Sequence, residues 1–205
     1  MRKLYYYPTC HLEGDFNRVM HYYARLCKKA GRSLKDFPKE VNYWNDNIPA
    51  QLKRQDEEWG KFLEWHREHS KQIDCVFLEG KCTRGSEDIY LAFKQYTGAM
   101  SVALLCIASS KGRMEITENR SLFSFAHFIL PNHIFDPELY EIPNRVIHEL
   151  RERYVTKAVD KKLRQGETGL LLFGGGHRTS LEKKLSKLNL KLEIIENQLI
   201  DEEFK

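Results

Sequence analysis

Four stretches of this chain bring together side chains able to move a proton, bind a metal or hold an anion. Pro8-Thr9-Cys10-His11 offers an imidazole, with Glu13 and Asp15 close behind. Glu79-Gly80 and Glu118-Asn119 each offer a carboxylate. Gly174-Gly175-Gly176-His177-Arg178 offers successive glycines, a second imidazole and a guanidinium. Imidazole, with an ordinary pKa of about 6.5, takes and returns a proton near neutrality. His11 and His177 with Glu79 also form a donor set suited to Zn, Mn or Co, with positions left for water and substrate. The glycine run permits close backbone approach to a ligand, and amides opening a following helix favour an anion. Gly174, Gly175, Gly176 and Arg178, with Thr179 and Ser180, therefore also read as a phosphate cradle. The chain has neither P-loop spacing nor G-x-G-x-x-G.

These residues can act together only if the fold gathers them. β-type runs are predicted over residues 3–7, 74–79, 113–118, 168–173 and 190–195. The second and fourth are nearly continuous apolar segments, as expected of strands covered on both faces. Helical patterns occupy 15–30, 49–70, 86–96, 100–110, 137–164 (a long helix after Pro143) and 179–187. Strands separated by helices need crossover connections. The expected fold is α/β: one domain over 1–205, with a mainly parallel sheet of about five strands and helices on both faces. Ligands of such sheets bind beyond the carboxyl ends of the strands, where all four stretches fall. In the tail, Leu190, Leu192 and Ile194 alternate after Asn189, so a helix followed by an edge strand is preferred to a coiled coil. The aromatic segment 122–137 fits a strand, an interrupted helix or a loop over a pocket.

The long helix carries a further clue. At about 100° per residue, Ile147, Leu150, Tyr154 and Ala158 form one apolar face. Arg151 falls within that face, Arg153 lies roughly 110° from its centre, and Glu152 points nearly opposite. A guanidinium turned toward the sheet requires a carboxylate or a bound anion, and Glu79 and Glu118 are the available partners.

Composition limits the function classes. Of 205 residues, 41% are hydrophobic and 30% charged, a globular balance. Lys and Arg number 33 against 29 Asp and Glu, so the net charge of +4 gives no reason to expect a nucleic-acid partner. No apolar run reaches the roughly 18–20 residues of a membrane span, and the N-terminus meets Pro8 and His11 before any long apolar stretch, unlike a signal peptide. The 5 cysteines include no C-x-x-C pair, which fits reduced thiols in a cytoplasmic protein, with Cys75 and Cys106 as core fillers. The Trp-bearing stretch 51–70, with Trp59, Phe62, Leu63 and Trp65, could dock a partner but is expected to pack on its own sheet. His66 and His69 there read as a solvated face.

Strand one ending in His11, Glu79-Gly80 at a strand end, Arg151 to Tyr154 on a helix, and Gly174-Gly175-Gly176-His177 together resemble the TraB/Tiki and ChaN/erythromycin-esterase superfamily. Its G-x-x-H motif is matched by Gly174 and His177; before His11, Pro8 stands in place of the glycine. The resemblance implies a hydrolase-like site, since members include metal-dependent proteases, a metal-independent esterase working through His and Glu, and a haem-binding protein. The expected function is thus a hydrolase of esterase or peptidase type, acting on a small-molecule or peptide substrate. His11, Glu79, Arg151 and His177 are its catalytic candidates, and a divalent metal could sit on His11, Glu79 and His177. The alternative is a non-catalytic phosphate- or small-ligand-binding protein using the Gly174–Gly176 turn.

Overall fold

The computed structural model describes residues 1–9, 57–79, 81–82, 112–126 and 137–198. Within them, β1 (Lys3–Thr9), β2 (Cys75–Leu78), β3 (Arg113–Glu115), β4 (Thr168–Gly174) and β5 (Lys191–Ile194) form one sheet in the order β3-β2-β4-β1-β5. Every pairing is parallel. Each strand coincides with a predicted β-type run, because continuous apolar or alternating residues have few other ways to bury themselves. The expected α/β class is the observed one. The predicted helices at 15–30, 86–96 and 100–110 lie outside the described residues, as do Cys10, His11, Glu13, Asp15, Gly80 and Cys106.

Four α-helices are described: α1 (57–69), α2 (120–126), α3 (Pro137–Lys162) and α4 (Arg178–Leu185). They cover both faces of the sheet. Along β1, Tyr5 and Tyr7 point to one side and Leu4 and Tyr6 to the other, as the two-residue period of a strand demands. The first side packs on α1 through Trp59 and Phe62, with the Tyr7 and Phe62 rings stacked at 4.3 Å. The second side packs on α3 and α4 through Val155, Val159, Leu181 and Leu185, with Phe77 and Phe173. Cys75 is buried in this second core, which pushes its thiol up to about 12 and makes it a filler. His66 is buried, not solvated as its charged neighbours suggested. Its ring stacks on Phe62, and burial lowers its pKa.

The aromatic segment begins as a helix. The Asn119 side chain accepts the amides of Ser121 and Leu122 at 2.9 and 3.2 Å, an N-cap that starts α2. α3 starts at Pro137, where the helical pattern 137–164 begins, and runs through Pro143 as one helix rather than only after that proline. Its buried face also differs from the expected one. Ile147, Arg151, Glu152, Val155 and Val159 face the protein, while Leu150 is 41% exposed. The stripe is turned toward the next residue because Glu152 finds partners on α4 that compensate its burial. The Gly166 turn (φ +84°) then delivers the chain to β4.

Candidate functional site

β4 lies between β1 and β2, so its carboxyl end, Gly174, sits beside Thr9 of β1 and near Glu79 leaving β2. The exits of β2 and β3 are tied together: the Lys81 carbonyl accepts the amides of Thr117 and Glu118 at 2.9 and 3.1 Å. The Thr117 hydroxyl accepts the Leu78 amide at 2.9 Å and donates to the Glu115 carbonyl at 3.1 Å. These ties bring Glu79 and Glu118 to the same guanidinium.

Arg151 reaches them from α3. Its Nε donates to Glu118 Oε1 at 2.6 Å, and one terminal nitrogen donates to Glu118 Oε2 at 3.1 Å and to Glu79 Oε1 at 2.6 Å. Burial disfavours the charged guanidinium, but the two carboxylates outweigh it and raise its pKa. Arg151 is 7% exposed and Glu118 1%, so that ion pair is dry, whereas Glu79 is half-buried. The guanidinium carbon also lies 5.6 Å from the Phe123 ring and 5.5 Å from that of Phe173.

Glu79 also holds the end of β4, where its Oε2 accepts the Gly174 amide at 2.7 Å. A Cβ on Gly174 would meet that oxygen at 2.9 Å, so glycine lets the carboxylate approach where a larger residue would push it aside. The glycines do not supply positive φ; among the described residues only Gly166 has it. The first amide of the expected anion cradle is thus given to a carboxylate, which repels a second anion. Gly175 and His177 bound a single 3-10 turn, and Arg178 opens α4.

His177 turns toward α3. Its Nδ1 lies 2.9 Å from Glu152 Oε1, and both side chains are buried. Ser180 donates to Glu152 Oε2 at 2.6 Å, and Lys184 donates to the same oxygen at 2.7 Å. Burial would raise the Glu152 pKa, but the hydrogen bonds from His177, Lys184 and Ser180 prevail and hold it down at about 2. An ionised carboxylate only accepts hydrogen bonds, so Nδ1 of His177 carries the proton, and in the neutral ring Nε2 bears the lone pair. The His148 ring stacks on His177 with centroids 4.5 Å apart. Burial, then the neighbouring His177 and Arg151, lowers His148 to about 4, so it is uncharged at neutral pH. His148, Glu152 and Ser180 all line a cleft of about 490 Å³.

Of the four catalytic candidates, the structure ties Glu79 to Arg151 and carries His177 to Glu152, one residue after Arg151 on α3. His11 lies outside the described residues. Sequence reasoning missed Glu152, His148 and Lys184. A signal existed: Ser180 and Lys184 are one helical turn apart and His177 precedes Ser180 by three, a polar stripe needing an acidic partner. The described residues do not by themselves make a metal centre. Both Glu79 oxygens and His177 Nδ1 are committed to other partners, and among the described residues no group of three His, Cys, Asp or Glu side chains is placed to hold a metal ion. Among them, too, no helix is long and apolar enough to cross a membrane. Comparison of the chain with protein-family models, curated proteins and solved structures finds no match.

Proposed function

We propose that this chain is a hydrolase whose site lies where β2, β3 and β4 end against α3. The observation that carries the reading is the buried His177–Glu152 pair, whose Glu152 lines the cleft together with the His148 stacked on His177, held beside the Arg151 cluster with Glu79 and Glu118. His177 Nε2 takes a proton from water, and Glu152 stabilises the imidazolium and fixes the ring, as a carboxylate does in acyl-transfer sites. His148, kept uncharged, adds no repulsion when His177 becomes charged. Ser180 is an unsuitable nucleophile. Its proton is directed at a carboxylate too acidic to remove it, and Lys184 donates to its oxygen at 2.6 Å.

Arg151 acts as a positioning residue. Its guanidinium is committed to two carboxylates, so its role is to hold Glu79 against Gly174 rather than to attract an oxyanion. The similarity of Gly174 and His177 to the G-x-x-H motif of the TraB/Tiki and ChaN group agrees with such a site. The test is a panel of ester and peptide substrates given to wild type and His177→Ala. Hydrolysis by wild type with a fall of about 10²–10⁴-fold in the variant is expected; equal rates would refute the proposal.

A further inference from the structure

The cleft extends along α3 away from His177, and its remaining wall offers three kinds of recognition. Ile142 and Val146, one helical turn apart, are 72% and 52% exposed and form an apolar edge. Arg145 is exposed on the same wall, ion-pairs with none of the described residues, and so offers an uncommitted cation. Asn144, one turn before His148, contributes an amide whose Oδ1 is buried without a hydrogen-bond partner. The acidic residues of the wall are already neutralised: Glu149 by Lys184 at 2.7 Å and Arg153 at 2.6 Å, Glu152 by Lys184. Among the described residues of the wall nothing calls for a cationic ligand, whereas Arg145 calls for an anionic one.

Around the helix axis, at about 100° per residue, Asn144 and His148 form one stripe, Arg145 the next, and Ile142 with Val146 the third. A ligand that satisfies all three has a central carbon bearing an amide, a carboxylate and an apolar side chain. We infer that the cleft binds an N-acylated apolar amino acid with a free carboxylate, alone or as the last residue of a peptide. Its carboxylate pairs with Arg145, its side chain lies on Ile142 and Val146, and its amide is presented to Asn144 and His148. Binding of this ligand stands by itself, and only its cleavage rests on the hydrolase reading. In that cleavage, water adds to the amide carbonyl as His177 takes its proton, the C–N bond breaks, and the imidazolium returns the proton to the leaving nitrogen. The products are a carboxylic acid and an amino acid or, from a peptide, its released last residue.

Imidazole Cε1–H NMR spectra of the whole chain test this, with the His148 signal assigned through His148→Gln. N-acetyl-L-leucine should shift the His148 signal. N-acetyl-L-leucinamide, which lacks the carboxylate, should bind about tenfold more weakly, as should N-acetyl-L-leucine to Arg145→Ala, whose exposed position leaves the fold intact. N-acetyl-alanyl-leucine distinguishes a peptide end from a free acyl amino acid. No shift with either acid, or binding indifferent to both the carboxylate and Arg145, overturns the inference. Binding without amine release, together with equal ester and peptide turnover by wild type and His177→Ala, would sustain this seat while the hydrolase reading fails. Turnover of other esters or peptides without such binding would sustain the hydrolase reading and overturn this seat.

Discussion

Arg151 is one cation facing two anions, and Glu118 beneath it has almost no access to water. Arg151→Ala would leave both carboxylates without their shared guanidinium, at a cost of about 3–5 kcal/mol, measurable by urea unfolding. Arg151→Lys should recover only part of it, because an ammonium cannot reproduce the fork on Glu118. His148 makes stability depend on pH. Its folded pKa of about 4 lies below the ordinary 6.5, so between those values the unfolded chain binds more protons. Stability therefore falls as pH drops through that window, by roughly 3 kcal/mol in full. Glu152, lowered from 4.5 to about 2, adds a loss in the same direction at still lower pH. Urea midpoints across that range should slope for wild type, and His148→Phe should flatten the slope between 6.5 and 4. At Gly174, alanine must displace Glu79 Oε2, 2.9 Å from the new carbon, and should cost about 1–3 kcal/mol.

At the scale of elements, α3 decides what the site contains. Val155 and Val159 pack on the sheet, Ile147 packs on α2, and Leu150 faces out. Leu150→Gln should therefore change stability by less than about 0.5 kcal/mol in urea unfolding, while Val155→Asp, which puts an unpaired charge in the core, should unfold the protein. The strands were legible because apolar or alternating runs of strand length stand out between helical patterns, although β1 runs on through Pro8 to Thr9. The partners of Arg151 were legible because a buried guanidinium needs carboxylates and few were placed to serve. The facing of α3 was not, because apolar periodicity counts Leu150 and Tyr154 as inward and Glu152 as outward. Burial of Glu152 is decided by His177, Ser180 and Lys184, which are brought to it only by tertiary packing. The stacking of His148 on His177 is likewise a contact between two elements with no local signature.

For the molecule as a whole, parallel pairing turns the carboxyl ends of all the strands to one edge, and the β4 position between β1 and β2 concentrates chemistry there. The near balance of 33 basic against 29 acidic residues leaves little long-range field, so recognition depends on the few charges that converge at this edge. Hydrolysis at this edge requires His177 to work as a base because Glu152 orients it. The most direct measurement is kcat/KM for the best ester or peptide substrate in wild type and Glu152→Gln, with folding of both followed by circular dichroism. Glutamine keeps the shape but cannot stabilise an imidazolium, so a folded variant about 10²–10⁴-fold slower is the expected result. A folded Glu152→Gln protein hydrolysing at the wild-type rate would contradict this role for the pair.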